Sequence, residues 1–224
     1  HYTTWDTFLK IYENKSFLAT NHQSSNLNDQ HELRNKKGDS LYHVSFSYGE
    51  TEIMPMWILY GIPKTQAVRI GIPKKKMQKW ITKLQTDQKR FEMVTLTDII
   101  YQNKKWYSRS NLHKNLPEEW KDSHDLVGCV KHYSWRYENE VRLLVSLPQK
   151  TDERIKLEFS DDIRDSFEIM TGPHFDISTC KNRELYDELC KENRISQSIF
   201  KSNEVNYREL CGNCIHEFSK RTEE

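Results

Sequence analysis

Trp135-Arg136-Tyr137-Glu138-Asn139-Glu140-Val141-Arg142-Leu143-Leu144 decides how this chain reads. Apolar Val141 and Leu143 alternate with Glu140 and Arg142, and the alternation runs on through Val145 and Leu147. A period of two predicts a strand over residues 138–147. In such a strand Glu138, Glu140 and Arg142 share one face. Two carboxylates so close repel each other, and one is expected to hold its proton more tightly unless Arg142 or another cation compensates. The plainer reading, which the pattern alone favours, is a solvent-facing strand whose charges pair with neighbours across the sheet. The chemical reading is a carboxylate pair that stabilises a sugar cation, because breaking a glycosidic bond passes through an oxocarbenium-like transition state. One fixed carboxylate then offers charge and a hydrogen bond to a ribose hydroxyl, while the second orients or deprotonates an acceptor.

Working outward, residues 41–48 alternate as well. Tyr42, Val44 and Phe46 point one way, and His43, Ser45 and Ser47 the other, which predicts a half-buried strand with a small polar face. Ser45 and Ser47 have the donors and acceptors to bind a ligand or to order the carboxylates, although such residues are commonly plain strand chemistry. Trp5, Phe8, Leu9 and Tyr12 form a helical stripe with Thr3 or Thr4 as its cap. Before it, His1-Tyr2-Thr3-Thr4 puts a His at a strand end, either structural or able to donate to a ribose or adenine edge. Further strands are expected at 16–20, 67–72, 92–100, 155–159 (paired across a turn with 138–147) and 167–171. Helices are expected at 29–37, 74–84, within 122–132 and at 183–191, with a buried helix or turn at 53–60. Residues 26–32 read as a loop leading into a helix capped by Asn28 or Asp29. The polar stretch 102–121, with Pro117, reads as an inserted or mobile loop. Six or seven strands with helices that do not strictly alternate indicate an α+β class, and the absence of repeats or linkers indicates one domain over 1–224.

The 224 residues suffice for one well-buried core. Aromatic residues at 12% exclude a disordered chain, and a net charge of +1 excludes a bulk polyanion binder. Lys74-Lys75-Lys76 reads as the solvated face of a helix. Seven Gly argue against a glycine-built cofactor loop. No Walker loop, Rossmann fingerprint, HExxH or GxSxG is present, which argues against common nucleotide hydrolases, Rossmann dehydrogenases, zincins of that type and nucleophile-elbow hydrolases. Five scattered Cys fit a reducing compartment, hence a cytoplasmic location. Cys211-Gly-Asn-Cys214 is a single CxxC and a weak zinc signal. No apolar run approaches the ~20 residues of a membrane span, so no membrane partner is expected. No signal peptide is visible; the chain begins at His1 without Met, which leaves open what precedes it.

These pieces, in this order, resemble a bacterial and phage family, domain of unknown function 2971. The resemblance rests on His1-Tyr2-Thr3, on Phe17-Leu18-Ala19-Thr20 with Asn28-Asp29-Gln30-His31-Glu32, on Ser45-Phe46-Ser47, on Met56-Trp57-Ile58-Leu59-Tyr60, on Trp135 to Arg142 and on Ser202 to Arg208. Gln30 departs from the Pro usual there. A looser resemblance is to the ADP-ribosyltransferases, which combine a first-strand His or Arg, a Ser-x-Ser strand and a late Glu-x-Glu strand. That resemblance implies an ADP-ribosyltransferase-like split β-sheet core with surrounding helices, with NAD as substrate. It implies that His1, with Tyr2 beside it, holds the NAD ribose and that Ser45 and Ser47 shape the nicotinamide side. Glu140 would be the catalytic carboxylate on the ribose hydroxyl, and Glu138 its acceptor-side partner. Trp57, Tyr60 or Tyr48 would stack on nicotinamide. Arg142 would join the NAD-binding set or pair with the carboxylates. One class of these enzymes uses Arg with Ser and Glu, another His with Tyr and Glu; here His stands with Ser.

The expected activity is therefore cleavage of the nicotinamide–ribose bond and transfer of ADP-ribose to a protein, a nucleic acid or water, in the setting of a toxin or an anti-phage effector. Two rivals belong to other classes. One is a non-catalytic binding module of a defence or toxin system, with exposed aromatics and the 102–121 loop as its surface. The other is a magnesium-dependent nuclease built on Glu138, Glu140 and Asp29; Arg142 beside the carboxylates suits a metal site poorly, so no metal is expected.

Overall fold

The computed structural model describes residues 1–22, 24, 40–87, 89–102 and 128–201. The helix expected at 29–37, nearly all of the 102–121 loop, the 202–208 segment and the Cys211–Cys214 pair lie outside the described residues.

Two sheets share one core. The first has the strand order β1 (Tyr2–Thr4), β4 (Ala67–Gly71), β10 (Glu168–Thr171), β11 (Ile195–Gln197), with antiparallel pairs except the last. The second is fully antiparallel, in the order β5 (Met93–Asp98), β8 (Glu140–Ser146), β3 (Leu41–Ser47), β2 (Ser16–Asn21), β9 (Arg154–Glu158). A parallel ribbon, β6 (Ile100–Gln102) with β7 (Val130–His132), lies beside it. The core takes Val68, Ile70 and Ile169 from the first sheet and Phe17, Tyr42, Val44, Phe46, Leu143 and Val145 from the second. Each such side chain, fully buried, contributes about 1.5–3 kcal/mol through apolar surface removed from water.

The helices close the core. α1 (Trp5–Asn14) starts where the Thr4 hydroxyl accepts from the Thr7 N–H and stops at Lys15, which takes a left-handed φ of 47°. Its buried stripe is Trp5, Phe8, Leu9 and Ile11, and the Trp5 indole donates to the Lys181 carbonyl at 2.7 Å. α2 (Met54–Tyr60) buries Met56 and Trp57 beside β1. α3 (Lys74–Thr86) buries Met77, Trp80 and Leu84, the spacing of one helical face. A one-turn helix, α4 (Asp161–Arg164), and α5 (Arg183–Lys191) complete the described set.

Three expectations need correction. The late strand begins at Glu140, not Glu138, because residues 133–138 wind into a 3₁₀ turn that ends at Asn139 in the left-handed region, φ 44°. The 155–159 strand pairs with β2, not with the Glu140 strand, whose two sides are already taken by β3 and β5. The stretch 122–132, expected to contain a helix, ends in β7 at residues 130–132, and its residues 122–127 lie outside the described residues. Eleven strands are present among the described residues rather than six or seven, the extra ones being only three residues long.

The second sheet is split in its middle. β3 pairs with β8 over seven positions, from Leu41↔Ser146 to Ser47↔Glu140, but with β2 only at Thr20↔His43 and Asn21↔Tyr42. Beyond His43 the two strands part, and His1 sits in the gap, its ring Nδ1 donating to the Ser45 carbonyl at 2.8 Å.

Candidate functional site

A cleft of about 350 Å³ opens at this split. Its lining comes from both sheets and from α2: His1 and Tyr2, Leu18 and Thr20, the polar face of β3, Tyr60, Lys131, Glu138, Glu140, Arg142 and Arg154. The cross-strand register explains the grouping. Ser45 lies opposite Arg142 and Ser47 opposite Glu140, so the polar faces of β3 and β8 coincide.

Glu140 is the most fully engaged group. Its Oε1 accepts from Ser45 Oγ at 2.5 Å and from Arg142 Nε at 2.6 Å; its Oε2 accepts from Lys131 Nζ at 3.1 Å and from Arg142 Nη2 at 3.2 Å. Its backbone N–H donates to the Tyr101 hydroxyl at 2.8 Å. Glu138 reaches the same cation from the turn before the strand: Lys131 Nζ donates to its Oε2 at 2.5 Å, and the Tyr60 hydroxyl to its Oε1 at 2.6 Å. Lys131 also lies over the Trp135 ring, 4.9 Å from its centre. Arg142 spends a further N–H on the Gly128 carbonyl at 2.8 Å.

Lys131, Glu138, Glu140 and Arg142 are 4%, 2%, 4% and 1% exposed. Burying four charges costs several kcal/mol per ion before pairing offsets it, and apolar side chains of similar volume are often as stable or more so. Such a network is a poor way to gain stability alone, which makes it a functional-site candidate. The pKa directions divide the carboxylates. Burial pushes Glu140 up, but Arg142, Lys131 and the hydrogen bonds to it outweigh that and hold it at about 2. Burial raises Glu138 and Lys131 opposes it, leaving the carboxyl above its ordinary value. Burial opposes the charge on Lys131, yet the two glutamates outweigh it and its pKa rises. His1 is lowered by burial, so it is neutral near pH 7. Because Ser45 offers a carbonyl, Nδ1 of that neutral ring carries the proton and Nε2 is an acceptor.

His1, Tyr2, Ser45, Ser47, Tyr60, Glu138, Glu140 and Arg142 all line the cleft. Ser47 Oγ is buried with no partner among the described residues. Trp57 does not line it: the indole is 2% exposed, packs edge-on to Tyr2 at 4.8 Å and donates to Glu52 Oε2 at 3.0 Å. A stacking role for Trp57 is therefore withdrawn; its side chain belongs to the small core beneath α2. Tyr48 lies outside the lining too, 65% exposed. Tyr60 reaches the site through its hydroxyl on Glu138.

Sequence reasoning missed Lys131 and Tyr101. Both come from the β6–β7 ribbon, where they are register partners, and a three-residue strand has no periodicity to read. Among the described residues no three His, Cys, Asp or Glu side chains are grouped to hold a metal ion. The position between Glu138 and Glu140 that a bridging cation would take is held by the Lys131 ammonium. No helix among the described residues is long and apolar enough to cross a membrane.

Residues 56–143 match the model of the family described as Protein of unknown function (DUF2971), a stretch that runs from α2 through Glu138, Glu140 and Arg142. No curated protein and no solved structure matches the chain.

Proposed function

We propose that this protein binds NAD in the cleft between its sheets and breaks the nicotinamide–ribose bond, with the split sheet acting as an ADP-ribosyltransferase-like core. The observation that carries the reading is the convergence of His1, just before β1, Ser45 of β3 and Glu140 of β8 on one cleft, joined by the His1–Ser45 and Ser45–Glu140 hydrogen bonds.

The chemistry follows from the charges. When the bond from ribose C1′ to the pyridinium nitrogen breaks, its electron pair leaves with nicotinamide, which departs neutral and needs no acid. Positive charge is left on the ribose. Glu140, ionised throughout the neutral range, opposes that charge, while Arg142 and Lys131 behind it keep it ionised and fixed, so little reorganisation is needed during the reaction. Its oxygens are already engaged, so a ribose hydroxyl enters by displacing the Ser45 Oγ donor. Glu138, whose pKa is raised, takes the proton of the attacking acceptor as the new C1′–acceptor bond forms. Nicotinamide release with a proton gained at Glu138 balances the step.

The test is to incubate the chain with NAD labelled in its adenine ring and a bacterial lysate. Label on protein or nucleic acid supports transfer, and free labelled ADP-ribose supports hydrolysis. Intact NAD in every sample sinks both. A non-catalytic binding module is the second reading, favoured by Ile58, Leu59 and Ile62, which are 48%, 43% and 69% exposed on and just after α2. It gains if NAD neither binds nor turns over.

A further inference from the structure

Beside the carboxylates, the cleft has a second polar row of different chemistry. Across the second sheet Arg154 is the register partner of Thr20, and Thr20 of His43. Strands lie about 4.8 Å apart, so the three Cα atoms form a row of about 10 Å. All three side chains line the cleft. His43 is 6% exposed, yet its Nδ1 has no hydrogen-bond partner. Arg154 is exposed and Thr20 half-buried, and among the described residues neither side chain carries an ion pair or hydrogen bond. Lys156, two residues on and register partner of Leu18, adds a second cation on the same face of β9. A buried polar atom left unpaired costs about 1–3 kcal/mol, and an arginine fork with a hydroxyl and an imidazole N–H matches the oxygens of a phosphate group.

We propose that Arg154, Thr20 and His43 form a phosphate subsite of the cleft, one that binds the diphosphate of a nucleotide whose ribose lies at Glu140. The assignment to NAD rests on the function proposed above; the anion subsite itself rests on these three residues. Arg154 supplies charge and a two-pronged donor, Thr20 a hydroxyl, and His43 a ring N–H. The register places Arg154 on β9 and Thr20 on β2, while His43 on β3 lies within electrostatic reach of Arg142, Glu140 and Lys131, so the subsite adjoins the carboxylate end of the cleft.

Calorimetric titration of the whole chain with NAD, ADP-ribose and nicotinamide riboside tests this. Arg154→Ala is expected to weaken NAD and ADP-ribose roughly ten- to hundred-fold and to leave nicotinamide riboside, which has no phosphate, unchanged. Thr20→Val is expected to weaken the same two ligands by a few-fold. Arg154→Ala binding NAD as wild type does would overturn the subsite. If wild type binds none of the three, the NAD reading fails, and inorganic pyrophosphate becomes the probe. Pyrophosphate binding that is lost in Arg154→Ala keeps the subsite for another phosphate-bearing ligand, and no pyrophosphate binding to wild type overturns it.

Discussion

Lys131 turns two carboxylates into one site. Without it, Glu138 and Glu140 would face each other with Arg142 as the only buried counter-charge among the described residues. Lys131→Met is therefore expected to cost about 3–5 kcal/mol, the price of leaving a buried charge uncompensated, read as a lower urea midpoint. Acid stability carries a second signature. Glu140 has its folded pKa depressed to about 2, so its contribution is present above the unfolded value near 4.5 and is lost as pH falls from there towards about 2. Glu138 is raised, and works in the opposite sense: its contribution is lost as pH rises through its folded pKa. Urea midpoints of wild type and Glu140→Gln between pH 2 and 7 should converge at the acid end; a constant difference across that range would contradict the assignment. Ser45, Glu140 and Arg142 were legible in the sequence because period-two alternation assigns faces without knowing the partner strand. Glu138 joins them by another route, from a turn rather than from the strand, and Lys131 was illegible because only the β6–β7 pairing brings it there.

At the element scale, α2 and the turn before β8 hold the geometry. Asn139 takes the left-handed conformation and its side-chain amide donates to the Tyr48 carbonyl at 2.7 Å, which fixes how the chain swings from Glu138 into Glu140. α2 ends at Gly61, where an added Cβ would collide with the Cβ of Ala67 and come within 2.7 Å of the Trp57 carbonyl. Gly61→Ala is expected to lose about 2 kcal/mol, seen as a fall of roughly 4–8 °C in Tm for a domain of this size, because backbone on both sides must move. Thr4→Ala removes the α1 cap and should cost about 1 kcal/mol in a urea titration. Most element positions followed from the sequence where apolar stripes were long, as in α1, α3, β3 and α5. The exchange of partners that puts β9 against β2 did not, because alternation specifies a face and leaves the neighbouring strand open.

At the scale of the molecule, the partial pairing of β2 with β3 leaves a gap in a sheet that the shared core holds in place on either side. A ligand that bridges the gap binds only the folded chain. NAD at a hundred times its dissociation constant should therefore add about 2.7 kcal/mol of stability and raise Tm by roughly 5–10 °C. The α+β class was readable from the sequence, whereas the split emerges only from which strands stop pairing and where. The central claim, that Glu140 acts on the ribose of NAD, is tested most directly by measuring nicotinamide release from NAD by wild type and Glu140→Gln side by side. The account predicts release by wild type and a fall of roughly 10²–10³-fold in Glu140→Gln, with the variant still folded. Equal rates in the two proteins, or no release from either, would contradict it.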